Sequence, residues 1–383
     1  MSLNPTLTQP LTFEREVAAA QVGLTEEGVQ RVADCLAKEI DPRQAGGQLV
    51  VLRRGRVVLD RAFGLADVPA GRMVDEETPF LVFSIAKPLT ALAVHHLVEQ
   101  GRLELDAPVA DYWPAFARNG KAGITLRQVL LHQAGLPRRG MRRQLLLSSN
   151  WPLAATALAW TTPEFAPGTQ TAYHFLSYGL ILGEVVRRVS GQPIERYLAE
   201  TFCQPLGLSR TYLGLPTEAS QPPARLYASH PDQARTAFIF NLPRLRRAVL
   251  PAAGLHSTAR DLAVLWQMLL NGGLYAGRRL LQAKTIAAAL ALGYEGYDAT
   301  VETKLRWAYG FHLGGPDLPY GRNMGLGSTP RTFGHFGQRS SMVWADPEAE
   351  LAVAFTTNQL LSSPASRSRL QALSDSIWQA IQE

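Results

Sequence analysis

Ser84 and Lys87 pair a hydroxyl with an amine three positions on, a combination suited to making a nucleophile. Ser84-Ile85-Ala86-Lys87 is the one Ser-x-x-Lys in the chain. Random placement of its 19 serines and 5 lysines over 383 residues would yield only roughly a quarter of such a match. Residues three apart on a helix share a face, so the amine can reach the hydroxyl. A helix N-terminus and burial both disfavour an ammonium, lowering the lysine toward the range of a useful base. A neutral amine can then take the serine proton, and the Ser84 backbone N–H at the helix start can face a developing oxyanion. The tetrapeptide alone reads equally well as a helix cap beside a surface lysine.

The elements that must position this pair follow from periodicity. Leu89, Leu92, Ala93 and Leu97 recur at three and four, which predicts a helix from Ser84 to Gln100. Pro88 fits only in its first turn, where a missing N–H removes no intrahelical bond. Ser84 therefore belongs at or beside the helix start. Residues 24–40 are predicted helical, with Val29, Val32 and Leu36 on one face. A hairpin follows, with Gln48–Leu52 and Val57–Gly64 as arms. From about 100 to 300 the pattern is helix and loop, with helices at Ser177–Val189 and Ala259–Asn271. The last eighty or so residues change period: Arg306–Leu313, Arg331–His335, Ser340–Ala345 and Glu350–Thr357 read as strands. A closing helix opens at Ser363-Pro364, with Leu370, Leu373, Ile377 and Ile381 as its apolar stripe.

Strands at both ends with helices between predict an α+β fold. One antiparallel sheet is built from both chain ends and flanked by the terminal helices, with a mostly helical domain inserted. The expected division is 13–70 and 305–383 for the sheet and 71–304 for the insertion, with the site in the cleft between them.

Composition narrows the function classes. Apolar residues make up 46% and charged residues 18%, a globular balance. The net charge is +6, and nearly all the cations are arginine. Arg138, Arg139, Arg142 and Arg143 cluster, as do Arg244, Arg246 and Arg247. Such clusters could meet nucleic acid or an anionic membrane. Solvated loops and helix faces are the preferred reading, and no nucleic-acid partner is expected, because no zinc-finger spacing, RNA-binding signature or long basic run is present. Cys35 and Cys203 do not make a disulfide framework and read as buried small hydrophobes. Residues 1–21 hold no basic segment followed by an apolar core, and no apolar run could span a bilayer, so no stable membrane insertion is expected. A cytoplasmic location is expected, periplasmic if a leader has been removed. His95 and His96 project about 100° apart on a helix, and no His-Glu-x-x-His occurs, so no metal is expected. His132 reads as a satisfied structural histidine.

Beyond the tetrapeptide, the sequence resembles the serine β-lactamase and penicillin-binding protein superfamily, on its class C side, which includes the family VIII carboxylesterases. The resemblance rests on four segments in order: Phe83–Ala91, Ile124–Leu136, Ala253–Leu262, and Phe333–Gly337 followed by a hairpin with Asp346-Pro347. It covers about residues 24–383 and implies a β-lactamase/transpeptidase-like fold with Ser84 as nucleophile of an acyl-enzyme. The family's Tyr-x-Asn falls on Tyr173-His174-Phe175, so the phenol is kept and the amide is lost. Its Lys-Thr-Gly falls on His335-Phe336-Gly337, so a permanent positive charge is lost. By the same resemblance Gln338 lends its backbone N–H to the oxyanion.

The resemblance thus implies Ser84, Lys87 and Tyr173 as catalytic residues and His335, Gly337, Gln338 and Phe175 as substrate-binding or oxyanion residues, with no cofactor. Loss of the lysine and the asparagine points to an ester without an essential carboxylate, hence a carboxylesterase. A β-lactamase or D-amino-acid-directed peptidase is the alternative within the class, and the expected partner is a small ester, amide or lactam. An idle binding or assembly protein is the alternative from another class.

Overall fold

The computed structural model describes residues 5–381 apart from 218 and 220. Residues 1–4, the start of the stretch read above for a leader, lie outside it. Among the described residues, nine antiparallel strands form one sheet that sets the two chain ends side by side. Strands β1 (Gly46–Arg53) and β2 (Arg56–Asp67) make the expected hairpin. Its two-residue turn needs positive φ at both positions, and Arg54 (φ 51°) and Gly55 (φ 69°) supply them. The other edge of β1 pairs with Leu351–Thr357, in register from Gly47–Thr357 to Arg53–Leu351. The sheet continues through Met342–Asp346 and Phe333–Phe336 on that side and through β3 (Arg72–Met73) on the other.

Both faces are covered. Helix α1 (Glu26–Glu39) is capped by Thr25, whose side chain accepts from Gly28 N. Val32 and Leu36 of α1 pack with Leu370, Leu373 and Ile377 of the closing helix Ser363–Trp378 against Leu49, Trp344 and Phe355 of the sheet. The closing helix takes Ser362 as its cap, one residue before the expected Ser363, and Pro364 still sits in the first turn. On the opposite sheet face, Val50, Leu52, Val343 and Ala354 share one core with helix Ala259–Leu270, α2 (Ala86–Glu99) and helix Ser177–Ser190.

Three features depart from the sequence reading. Arg306–Leu313 is not one strand. It splits into Thr303–Trp307 and His312–Leu313, which pair antiparallel. The chain reverses through Gly310 (φ 110°), with Ala308 N donating to Phe311 O at 2.9 Å. A Cβ on Gly310 would sit 2.3 Å from Ala91 Cβ, so the turn is pressed onto α2. A further strand, Tyr294–Asp298, forms the sheet edge; its central glycine and mixed polarity hide it from pattern reading. Finally, β3, Tyr294–Asp298 and helix Ala259–Leu270 all come from within 71–304, yet they belong to the sheet or pack on it.

A second sheet of three short strands carries the nucleophile segment. Strand β4 (Phe80–Phe83) pairs with Leu255–Ser257, which pairs in turn with Tyr212–Leu213. This joins Phe83–Ala91 and Ala253–Leu262, two of the four segments on which the resemblance rests.

Candidate active site

Strand β4 ends in a kink. Its pairing slips between Leu81 and Phe83, and Phe83 has φ 47°. A side chain in the left-handed region costs about 1–3 kcal/mol. The buried Phe83 ring, edge-on to Phe240 at 5.1 Å, holds the conformation in place. The kink turns Ser84 out of the strand as a partly exposed residue between buried neighbours. Helix α2 begins two residues later, with Lys87 N donating to Ser84 O at 3.0 Å.

Lys87 is 1% exposed. Its Nζ lies 3.1 Å from Phe175 O, 3.1 Å from Ala252 O and 3.3 Å from Ser84 Oγ. Burial lowers its pKa well below the ordinary lysine value. A neutral amine has two N–H donors and one lone pair. Both carbonyls can only accept, so they take the two donors. The lone pair is left for Ser84 Oγ, which can donate.

The Tyr173 ring centre lies 4.5 Å from Lys87 Nζ. Burial raises its phenol well above the ordinary tyrosine range, so it stays protonated. The two environments therefore push Lys87 and Tyr173 in opposite directions, the pattern that separates a base from an acid. Tyr173 is held at its backbone, where its N–H donates to Asp298 Oδ1 at 3.0 Å. The same oxygen accepts from Thr300 N and Val301 N at 2.8 and 3.0 Å. Sequence reasoning missed Asp298. Its Asx-turn chemistry is a local signal for the turn, but nothing local marks Tyr173 as the third donor. The Tyr173 ring also lies parallel to Trp307, with centroids 5.8 Å apart.

His132 and His174 sit behind this wall. His132 Nδ1 accepts from His174 N at 3.0 Å, and His174 Nε2 accepts from Leu136 N at 2.9 Å. Both rings are buried and neither lines the cavity. Burial holds His174 down at about 3 and depresses His132 as well.

The facing wall is the end of strand Phe333–Phe336. A Cβ on Gly337 would meet Val82 O at 2.8 Å, so glycine is what lets this strand end abut β4 two residues before Ser84. Among the described residues, the backbone N–H groups of Ser84 and Gln338 take part in no backbone hydrogen bond. His335 Nδ1 lies against the Phe336 backbone, 2.9 Å from its N and 3.0 Å from its O. Nε2 is buried without a partner. Burial holds His335 at about 3, so it is neutral.

A cavity of about 230 Å³ brings together Ser84, Tyr173, Phe175, His335, Gly337 and Gln338, while Lys87 lies below its floor. It also exposes Val301, Tyr320 and Arg367, which sequence reasoning had not singled out. A larger cavity of about 510 Å³, lined by Trp113, Trp151 and Glu184, contains none of these residues. Capacity alone does not mark the chemistry here; convergent polar groups do.

Known proteins share this arrangement's sequence and fold. A family model described as Beta-lactamase matches residues 29–375. The esterase/beta-lactamase LipL of Mycobacterium tuberculosis is 31% identical over 348 residues, 84% of this chain and 78% of that protein. A solved structure of a family VIII carboxylesterase superposes with a TM-score of 0.78 at 30% identity, over 92% of this chain and 98% of that one. A penicillin-binding protein homologue from Caulobacter crescentus gives a TM-score of 0.76 at 29% identity, over 94% and 99%. With the family model spanning most of its length, the chain belongs to the beta-lactamase family.

Proposed function

We propose that the protein is a serine hydrolase of carboxylesterase type, working through an acyl-enzyme on Ser84. The observation that carries this reading is the set of partners around Lys87 Nζ. Two carbonyls absorb its donors and leave a lone pair facing Ser84 Oγ at 3.3 Å. Lys87 takes the Ser84 proton as Oγ bonds to the substrate carbonyl carbon. The resulting oxyanion meets the N–H groups of Ser84 and Gln338. As the tetrahedral intermediate collapses, the ester C–O bond breaks and Tyr173 passes a proton to the departing alkoxide, drawing on the proton held by Lys87. Water then gives a proton to Lys87 as it attacks the acyl carbon, the bond to Ser84 Oγ breaks, and that proton returns to Ser84 as the acid leaves.

The ester preference is supported by two side chains. His335 is neutral, so it gives no permanent charge to a carboxylate. Phe175 lines the cavity with a ring in place of an amide. The names of LipL and of the family VIII carboxylesterase agree with this preference. A lactam or D-peptide reading is supported by the cations at the cavity, Arg367 and the Asp232-paired Arg339. A panel of short acyl esters, lactones, β-lactams and D-peptides, read with intact mass, decides between them. Ester turnover with an acyl adduct on Ser84 is expected. Efficient β-lactam turnover without ester turnover would overturn the preference, and turnover by Ser84→Ala would overturn the mechanism.

A further inference from the structure

The two arginine clusters of the sequence lie about a hundred residues apart, and the fold brings them onto one surface. Helix Pro243–Arg247 lies against the end of helix Met141–Leu146. Arg244 Nε donates to Ser149 Oγ at 2.6 Å, and its Nη2 donates to Leu146 O. Helix Pro231–Asn241 completes the surface: its Ile239 and Phe240 share an apolar cluster with Leu145 and Leu245. Arg142, Arg143, Arg235, Arg244 and Arg247 are all exposed here. Among the described residues none of these five forms an ion pair with a carboxylate. The acidic groups nearby are occupied. Asp232 pairs with Arg339 and His230, and Glu164 accepts from the backbone N–H groups of Arg138 and Arg139.

Between the arginines the surface is apolar. Leu146 and Phe238 are each 68% exposed, Leu242 is 39% exposed and Met141 36%. Guanidinium groups around exposed Leu, Met and Phe make a face that is satisfied at a boundary between anionic headgroups and acyl chains. The surface also adjoins the cavity. Arg339, which pairs with Asp232, lines it, and the Arg138 guanidinium sits 5.9 Å from the ring centre of Phe175. The inner side of helix Pro231–Asn241 holds Phe83 through Phe240.

We propose that the face made by helices Met141–Leu146, Pro231–Asn241 and Pro243–Arg247 docks the protein onto a lipid surface bearing anionic headgroups, beside the mouth of the Ser84 cavity. Among the described residues no helix is long and apolar enough to cross a membrane, so the contact is peripheral. Docking requires no reaction at Ser84. Only its purpose, presenting acyl esters from the lipid phase, rests on the function proposed above.

Co-flotation of the full chain with phosphatidylcholine–phosphatidylglycerol vesicles tests this. Binding is expected at low salt, with loss at about 0.5 M salt and none on pure phosphatidylcholine. Arg142→Ala/Arg143→Ala should weaken binding by about fivefold per guanidinium, and Leu146→Ser/Phe238→Ser by at least about tenfold. All four positions are exposed, and equal melting temperatures confirm that the variants are folded. Ser84→Ala should bind like the wild type, which separates failure of docking from failure of the catalytic reading. Absence of binding, equal binding to neutral vesicles, or full binding by both double variants would overturn the proposal. So would preferential binding to a polyaspartate peptide or an RNA oligonucleotide, or a dimer dispersed by Phe238→Ser without any vesicle binding.

Discussion

Two lysines of this chain are both closed off from solvent, Lys87 the deeper, and they are built differently. Lys121 is fully buried and its Nζ donates to Arg118 O, Ala159 O and Thr161 O at 2.7, 3.0 and 2.6 Å. Lys87 has two carbonyls and one hydroxyl in the same three places. Three carbonyls can be served in full only by three N–H donors, so they favour the ammonium. Burial lowers Lys121 to about 8, whereas it lowers Lys87 well below the lysine range. Depth of burial sets how far each amine is lowered, but it is not what gives a base its proton to take. The third partner is, because a hydroxyl can give a proton and a carbonyl cannot.

The sharpest break of this comparison is to remove each amine. Lys87→Met should lower kcat for a short acyl ester by at least about 10⁴-fold, close to the loss from Ser84→Ala, and the double variant should lose little more. Lys121→Met should keep kcat per folded molecule while costing about 2–4 kcal/mol, because three buried carbonyls lose their partner. Chemical denaturation paired with active-site titration separates the two. If Lys121→Met silences the enzyme without unfolding it, the contrast fails.

A pH series sharpens it. In the proposed mechanism the reactive form of Lys87 is the neutral amine, so the acylation rate should rise with pH through its lowered pKa and then level. The folded state binds fewer protons than the unfolded state between that lowered pKa and 10.5. Stability from this group is therefore lowest on the acid side of the window and rises with pH across it. Lys87→Met should flatten both trends, and an unchanged pH–rate profile in a residually active Lys87 variant would contradict the assignment.

Smaller effects are expected on the opposite wall. Gly337→Ala places a Cβ 2.8 Å from Val82 O, so the strand end must retreat from Ser84. A loss of about 10–100-fold in kcat/KM should follow, with little change in melting temperature. Gln338→Ala keeps the backbone N–H and gives up only a 3.5 Å contact with Gln233. It should cost less than about threefold, and a larger loss would assign the side chain a direct role.

What the sequence disclosed divides along the same line. The pairing of Ser84 with Lys87 was legible because three-residue spacing on a helix is local. The hairpin, α1 and the closing helix were legible from period, with shifts of one to three residues at their ends. The partners that decide the state of Lys87 were not. Phe175 O and Ala252 O come from 88 and 165 residues away and are backbone atoms, so no residue type announces them. The reversal at Gly310 was hidden for the same reason: Ala91, which forces the contact, is distant in sequence. Tyr173, Gln338 and the ends of the cleft came through resemblance to a family; periodicity did not supply them.

The pairing of β1 with Leu351–Thr357 has a consequence for biosynthesis. Translation proceeds at about 5–20 residues per second, so β1 emerges from the ribosome on the order of fifteen to sixty seconds before the strand that completes its edge. Throughout that interval an apolar strand with an open hydrogen-bonding side is available to other nascent chains. Chaperone holding of the amino-terminal half is the expected remedy. The proposed oxyanion groups, on Ser84 and Gln338, can likewise be brought together only when synthesis is nearly finished.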